Sequence, residues 1–254
     1  MSRGQKQFLY GILYLSLFTL IGWGVFRVAF TAEPSCTDKK QNQEEEGVDC
    51  GGQCVSCAVQ SVAPLTTVGE VRVFGTRGGG AALLGRVENP NTTVGASRFS
   101  YRFTIYDSVG KVKEEITGKD SIFEAEDRYL YETNITTPFE EIGYALLALE
   151  DVTWEEGRNA LKPRLVLEDI ATVNDPRGIR VSGVLKNETL GSIREVKVIA
   201  LIFDAFGGER FAAQTLVSNI AASEARAFVI SFPSEEAIGA SIALERSRVI
   251  VQVP

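Results

Sequence analysis

The feature that most constrains this sequence is an uncharged apolar run near the N-terminus, FLYGILYLSLFTLIGWGVF, at residues 8–26. A helix over this run would be about 28 Å long, close to the hydrocarbon thickness of a bilayer. Arg3 and Lys6 precede the run, and the positive-inside rule places that side in the cytoplasm. The run therefore predicts a single-pass transmembrane helix. Residues 1–30 would be a cytoplasmic stub with the membrane span, and residues 31–254 would be extracytoplasmic.

Two other interpretations of the run stay open, a cleaved signal peptide and a buried helix of a soluble core. Signal peptides usually have an apolar stretch of about 7 to 15 residues and small residues at the cleavage site. This run is longer, and Phe30 disfavours cleavage after Ala32, although cleavage after Thr31 remains open. The rest of the chain would be exported whether the run is a transmembrane helix or a cleaved signal peptide.

Histidine is absent from all 254 residues, and the formal net charge is −7. The absence excludes histidine-dependent triads, zinc hydrolase motifs and histidine proton shuttles. The negative charge and the lack of a basic stripe argue against nucleic acid as a partner. An enzyme without histidine would need a carboxylate pair or a serine and lysine arrangement, and no local motif nominates one. The sequence predicts a protein that is not an enzyme and has no catalytic residues or organic cofactor.

All four cysteines lie within the acidic segment 31–60, which contains almost no large apolar residue. They are Cys36, Cys50, Cys54 and Cys57. An exported segment with an even cysteine count favours two disulfides, and the sequence leaves three pairings open. Two alternatives are a four-thiolate zinc site and a redox-active Cys54–Cys57 pair.

The segment CTDKKQNQEEEGVDCGGQCVSC resembles a short cysteine-rich motif of prokaryotic surface proteins, C-x-D-x3-N-x2-E-x3-D-C-G-G-x-C-x2-C. Four oxygen-bearing side chains occupy its polar positions: Asp38, Asn42, Glu45 and Asp49. Such oxygen-rich spacing could hold a hard cation such as calcium, the alternative being a solvated acidic loop. Lys39 and Gln43 replace glycines that the motif commonly has, which weakens the tight turns of a calcium loop.

Beyond residue 60 the sequence alternates with a period of two and repeats itself. In SRFSYRFTIYD at 97–107, apolar and polar residues alternate as in a half-buried strand. The apolar register recurs at 196–202, and the following Asp204 and Gly207 match Asp107 and Gly110. The sequence predicts that one fold occurs twice.

The repeat extends to both sides of this strand. Four upstream residues match in pairs: Gly85 with Gly183 and Asn89 with Asn187. Three downstream residues also match: Pro138, Glu140 and Glu141 with Pro233, Glu235 and Glu236. The segment LALE at 147–150 matches IALE at 242–245.

We therefore expect two tandem immunoglobulin-like antiparallel β-sandwiches, at 62–156 and 160–254. A polar segment around Glu155 to Pro163 would join them. The predicted fold class is mainly β, with an N-terminal transmembrane helix and a small cysteine-rich loop module.

The motif FTIYD at 103–107, with G-x-V-x-N at 85–89, resembles the FxLYD family of extracytoplasmic β-sandwich domains. ALIFD at 200–204 is a looser copy, because alanine replaces the leading phenylalanine. NPN at 89–91 is also similar to the water-stress and late-embryogenesis-abundant sandwiches. These resemblances imply a fold and a surface setting, and they carry over no catalytic residues.

Several polar residues have a structural explanation in this scheme. Asp107 and Asp204 would cap the turns after their strands, in preference to binding a ligand. The N-x-T sequons begin at Asn91, Asn134 and Asn187, and we interpret these asparagines as turn residues.

Taken together, these features predict a non-catalytic, membrane-anchored surface protein that displays sandwich modules for binding, adhesion or spacing at the cell envelope. Its partners would be the lipid bilayer, through residues 8–26, and a protein or envelope component that could bind a sandwich edge by strand addition. Two alternatives remain, a structural or assembly subunit of an envelope complex and an extracytoplasmic enzyme without histidine.

Overall fold

The computed structural model describes residues 3–30, 35–42, 44–76, 78–233 and 242–253. Contacts divide the chain into two compact units, residues 1–60 and 61–254. The predicted limits of the two sandwiches, 62–156 and 160–254, both fall within the second unit and stay a prediction.

The first unit begins with helix α1, Arg3–Phe30, which exposes apolar side chains around its circumference. An 18-residue window of this helix has a mean hydropathy of 1.8 and no buried residue. The hydroxyl of Thr19 donates to the carbonyl of Leu15 at 2.9 Å, so its polar group is satisfied within the helix. Because the helix is apolar on all sides and long enough, it suits a lipid environment.

The cysteine-rich segment is held by two disulfides, Cys36–Cys54 and Cys50–Cys57, and ends in the short helix α2, Cys57–Gln60. The two bonds interleave along the chain. A Cβ atom added to Gly47 would lie 2.9 Å from Cys50 Sγ, so the chain approaches the second bond closely at a glycine. Covalent links take the place of an apolar core here.

In the second unit, the strands between residues 66 and 156 form two facing antiparallel sheets. They are β1 (Thr66–Thr67), β2 (Arg72–Gly75), β3 (Ala81–Glu88), β4 (Val94–Tyr106), β5 (Val112–Ile122), β6 (Asp127–Glu132) and β7 (Tyr144–Glu156). One sheet has β3 at its centre, with β1 and β2 on one side and β6 on the other. The other sheet has the order β5–β4–β7. Leu83 and Val87 of β3 meet Phe99, Phe103 and Ile105 of β4 in the core between them.

The strands between residues 165 and 252 repeat this arrangement. They are β8 (Leu165–Asp175), β9 (Gly178–Asn187), β10 (Ile193–Asp204), β11 (Glu209–Ile220), β12 (Ala225–Phe232) and β13 (Ile242–Gln252). The sheets have the orders β12–β9–β8 and β11–β10–β13. Val181 and Leu185 of β9 face Val196, Val198 and Ile202 of β10 in a separate core. The mainly β fold, the apolar helix and the disulfide-bonded module confirm the predicted fold class.

The two sandwiches pack against each other through a third apolar cluster. Leu84 of β3 and Phe74 of β2 lie on the outer face of one sheet of the first sandwich. Ile199 and Leu201 of β10 lie on the outer face of one sheet of the second, and all four side chains are buried in this cluster. Sheets of both sandwiches are therefore stacked face to face.

A buried polar network accompanies this stacking. Arg128 of β6 is fully buried and donates to Asp120 Oδ1 at 2.7 Å. Lys197 of β10 donates to Asp120 Oδ2 at 3.3 Å. Gln252 of β13 exchanges hydrogen bonds of 3.1 and 3.3 Å with the backbone of Tyr129. The bonds of Lys197 and Gln252 join the two sandwiches, so they fix the position of one on the other.

The repeated glycines and asparagines have equivalent places in the two sandwiches. Asn89 and Asn187 are buried, and each side-chain amide donates to backbone carbonyls of adjoining loops at 2.8 to 3.2 Å. Gly85 and Gly183 lie where a Cβ atom would come too close to a neighbouring side chain, Leu147 at 2.6 Å and Ile170 at 2.4 Å. The predicted upstream repeat is thus explained by tight packing and by backbone groups that need an amide partner.

The downstream match of LALE with IALE is wrong as a structural equivalence. Leu147 pairs with Phe103, whereas Ile242 pairs with Asp204, which occupies the place of Asp107. The register of β13 on β10 is shifted between Leu201 and Phe203, so identical letters stand at different positions. Glu235 and Glu236 lie outside the described residues.

Candidate functional site

The four cysteines are all disulfide-bonded, and none is free in the described part of the chain. Cys54 is bonded to Cys36 and Cys57 to Cys50, so the Cys54–Cys57 pair does not close on itself. This pairing leaves no thiolate for zinc and no redox-active CxxC bond. The prediction of two disulfides is confirmed.

The candidate calcium ligands shape the loop through hydrogen bonds. Asp38 accepts hydrogen bonds from the backbone N–H of Lys40 and from the amide of Asn42, both at 2.9 Å. Glu45 accepts one from the backbone N–H of Asn42 at 3.0 Å, and Asp49 accepts two from that of Lys39. Asn42 Oδ1 is buried and has no hydrogen-bond partner among the described residues. The calcium site stays a prediction.

Within the described ranges, one group of three potential metal ligands comes within 4.8 Å: Cys36, Glu45 and Cys54. Both sulfurs belong to a disulfide, so they are not thiolates. Lys39 adopts a φ of 59° at a position where the motif commonly has glycine. The backbone therefore keeps the turn without the glycine.

The two aspartates after the central strands cap their turns. Asp107 Oδ1 accepts hydrogen bonds from the backbone N–H groups of Val109 and Lys111 at 3.0 and 2.9 Å. Asp204 Oδ1 accepts equivalent bonds from Phe206 and Gly208. The bond from Lys111, followed by that from Val109, holds the pKa of Asp107 below its ordinary value. This geometry agrees with the predicted turn role.

The sequons differ in accessibility. Asn187 is 0% exposed, and its amide nitrogen donates to three backbone carbonyls, so the folded chain does not present it for modification. Asn91 exchanges hydrogen bonds with the backbone of Ala63 at 2.8 and 2.9 Å. Both asparagines organise loops, as the sequence predicts.

A groove opens at one edge of the first sandwich, between β7 and the strand pair β1 and β2. It has a volume of about 340 Å³. Val71, Ala145 and Leu147 supply apolar walls, and Glu70 and Arg86 are the charged residues of the lining. We call this cavity, with these five residues, the edge groove. An apolar hollow with a few polar groups is the usual form of a binding site.

An interruption between β1 and β2 helps to form the edge groove. Thr67 pairs with Val87 before the interruption. Arg72 pairs with Leu84 after it. The intervening segment 68–71 is longer than the stretch of β3 that faces it, so it bulges away from the sheet. The bulge separates this edge from β7.

Arg86 is held in place by its neighbours. Its Nη2 atom donates to Asp127 Oδ2 at 2.6 Å, and its guanidinium lies 5.9 Å from the centre of the Tyr129 ring. The hydrogen bond to Asp127 is the largest cause of a raised pKa for Arg86, with burial acting in the opposite direction. The guanidinium of Arg86 is therefore held by residues of β6 and its charge is paired with that of Asp127.

Strand β7 forms one border of the edge groove and one edge of its sheet. It pairs with β4, and among the described residues no strand pairs with its other side. Its first part, YALLAL at 144–149, carries no charged residue. Tyr144 is 45% exposed and Leu146 is 54% exposed. A long uncharged edge strand is unusual, because natural sheets normally protect their edges.

The second sandwich protects the corresponding region. Ile170, in a bulge of β8, places its Cδ1 atom 2.4 Å from where a Cβ atom on Gly183 would lie. In β13, Glu245, Arg246 and Arg248 put charges on the edge strand, and the register is shifted there. The first sandwich thus has an uncharged edge strand at 144–149 where the second has a charged one.

The edge groove is not among the features predicted from the sequence. The signal was present, because YALLAL has no charge while the strand of its repeat partner contains ERSR at 245–248. The opening itself depends on the bulge at 68–71, which has no distinctive sequence pattern. A difference between repeats in edge charge is what could have identified the site.

Comparisons with known proteins identify no family for this chain. No family model and no curated protein matches the sequence. Among solved structures, a red sea bream transglutaminase is similar over 67% of this chain, with 10% identity and a TM-score of 0.22. The chain spans 27% of that enzyme's length. The tandem CBM22-1–CBM22-2 domain of Paenibacillus barcinonensis Xyn10C is similar over 76% of this chain and 87% of its own, with 10% identity and a TM-score of 0.17.

Proposed function

We propose that this chain is a non-catalytic, single-pass membrane protein that displays its disulfide-bonded module and stacked sandwiches outside the cytoplasm for binding at the cell envelope. The observation that carries the proposal is α1, which is apolar on every side and has no buried residue in its 18-residue window. A helix of that kind is stable in lipid and unfavourable in water.

Two further observations support an exterior location. The interleaved disulfides are of a kind that persists in oxidising compartments. Arg3 and Lys6 lie on the N-terminal side of the apolar run, which favours a cytoplasmic N-terminus. The edge groove supports a binding role, because it joins an apolar hollow to an unpaired strand.

Topology reporters test the location. Full-length chains would carry alkaline phosphatase or a green fluorescent protein at the C-terminus in a bacterial host. We expect active phosphatase, dark fluorescent protein and retention in membranes after carbonate extraction. The double variant L13R/F18R should lose membrane retention, because each arginine at the middle of a span costs about 2.5 to 3.5 kcal/mol.

A matched variant, L65R/V87R, would place the same charges in the first sandwich core, where Leu65 and Val87 are buried. It should unfold that sandwich yet stay in the membrane. Recovery of the unchanged chain as a soluble species with four reduced thiols would refute the proposal.

A further inference from the structure

We propose that the free edge of β7 over residues 144–149, together with the edge groove, binds an extended peptide strand of a partner protein. The strand would add to the β5–β4–β7 sheet and place one apolar side chain in the edge groove. This inference rests on the proposed binding role and names the class of partner.

The backbone of β7 determines the kind of ligand. In an antiparallel sheet, alternate residues of an edge strand direct N–H and C=O groups away from their neighbour. β7 pairs with β4 alone among the described strands, so these groups on 144–149 face outward. They recur every two residues, about 6.6 to 6.8 Å apart. Another extended chain has complementary groups at that spacing, which is why we choose a peptide strand over a compact ligand.

The edge groove determines the side chain. Its apolar walls come from Val71, Ala145 and Leu147, and its volume of about 340 Å³ can take an aliphatic or aromatic side chain. Burying a leucine or phenylalanine side chain contributes favourable transfer free energy. Glu70 and Arg86 are the charged residues of the lining, and Arg86 is already paired with Asp127.

A second copy of β7 is a poorer occupant. On β7, Ala145 and Leu147 face the core of their own sandwich. If two β7 strands paired edge to edge, each would keep these side chains inside its own sandwich. The edge grooves of both copies would then stay unfilled. A free strand can place a side chain in the edge groove and pair with β7 at the same time.

The comparison within the chain supports this assignment. In β13 the charges of Glu245, Arg246 and Arg248 oppose strand addition, as protected edges do. Ile170 covers Gly183 in the second sandwich. The first sandwich has no charge at 144–149, and the side chain over Gly85 is Leu147 of β7 itself, so its edge is the one suited to a ligand.

Hydrogen exchange of the full-length chain in detergent micelles tests the inference. The probe is the acetylated, amidated heptapeptide TVTLTVT, and the control probe has the same sequence with alternate backbone nitrogens methylated along one edge. We expect TVTLTVT to slow amide exchange in 144–149 at least tenfold, and to leave 242–252 unchanged. The edge-methylated probe should give no protection, because it cannot complete the ladder.

Two variants locate the bound side chain. T67W places an indole at the edge groove from an exposed lining position and should weaken binding of TVTLTVT at least tenfold. T117W places the same group on the exposed outer face of the β5–β4–β7 sheet and should bind as the unchanged chain does. Thermal melting of both variants confirms that each is folded.

Three results would overturn the inference. Equal binding of the methylated probe would show that the backbone of β7 is not used. An absence of protection in 144–149 would show that the edge takes no strand. Protection that rises with protein concentration, without peptide, would show that a second copy covers the edge. None of these outcomes depends on the membrane topology, so failure here is distinguishable from failure of the proposed location.

Discussion

The strands β4 and β10 are equivalent central strands of the two sandwiches, yet their surroundings differ. Both direct alternate apolar residues into their own core. The other face of β4 carries Arg98, Arg102 and Thr104, none of which is buried. The other face of β10 carries Ile199 and Leu201, which are buried against the first sandwich. Strict alternation therefore marks a strand with a free face, and a continuous apolar run marks a strand that is covered on both.

The strands β3 and β9 show the converse difference. Ala82 and Leu84 on the outer face of β3 are buried in the stacking contact. The strand β9 is the equivalent of β3 in the second sandwich. Its outer face carries Arg180 and Lys186, and neither residue is buried. The contact therefore uses the β3 sheet of the first sandwich and the β10 sheet of the second, which are not equivalent sheets of the repeated fold. Equivalent sheet faces of the two sandwiches therefore differ in chemistry because their outward-facing residues differ.

The largest expected effect comes from giving β10 the outward pattern of β4. I199R introduces an arginine, as β4 has at the equivalent residue Arg102, and places its guanidinium in the apolar stacking contact. We expect a loss of about 4 to 5 kcal/mol in unfolding free energy, from lost packing and an unpaired buried charge. Urea unfolding of the full chain measures the loss, and faster amide exchange in β3 and β6 reports separation of the sandwiches.

The reverse variant, R102I, is its control. Arg102 pairs with Glu150 at 3.0 Å on the exposed face, so we expect a change within about 0.5 kcal/mol. If I199R were as stable as R102I, the stacking contact would contribute nothing.

The buried ion pair at the stacking contact should have the next largest effect. R128A leaves Asp120, whose side chain is 2% exposed, without its principal partner. We expect a loss of about 3 kcal/mol, near the lower end for breaking a buried pair, because Lys197 still approaches Asp120. R102A removes an arginine from an exposed pair and should cost less than about 1 kcal/mol. Equal losses in the two variants, measured by urea unfolding, would contradict the role of burial.

The repeated core glycines offer a smaller and more local comparison. In G85A the new Cβ atom would lie 2.6 Å from Leu147 and 3.1 Å from the Phe103 ring, which is fully buried. Overpacking of this kind costs about 1 to 3 kcal/mol. In G183A the new Cβ atom would lie 2.4 Å from Ile170 Cδ1 and 2.9 Å from the ring of Phe228, which is buried.

We therefore expect G183A to cost at least as much as G85A in urea unfolding, because a buried aromatic ring lies nearer to the added Cβ atom in the second sandwich. A loss in G183A that is smaller by about 1 kcal/mol or more would show that Phe228 and Ile170 shift to accommodate the methyl group.

The sequence predicted the features that local chemistry controls. The apolar run gave α1, the aspartate and glycine after each central strand gave the two turns, and the cysteine cluster gave the two disulfides. The repeat of Asn89 at Asn187 predicted equivalent turns, although not that both amides are buried.

The features that escaped prediction depend on contacts distant in the chain. The run VKVIALIF at 196–203 is apolar at nearly every position, as a strand covered on both faces is, but its period-two register with 99–105 predicts only one buried face. The network of Asp120, Arg128 and Lys197 joins three strands that the sequence alone does not bring together. The edge groove depends on a register interruption at 68–71, which only pairing with β3 reveals.

The smallest expected effect concerns the turn caps that the two sandwiches share. Hydrogen bonds from the backbone of Lys111 and then Val109 lower the pKa of Asp107 below about 3.9, the ordinary value for aspartate. A lowered folded-state pKa means that this contribution to stability is present above about pH 3.9, and is lost as the pH falls through the folded-state value. Carboxyl chemical shifts should therefore show Asp107 titrating below about 3.9, whereas a midpoint at or above that value would contradict the cap. D107N should remove this contribution while leaving the β10–β11 turn unchanged, because Asp204 caps that turn with its own bonds to Phe206 and Gly208.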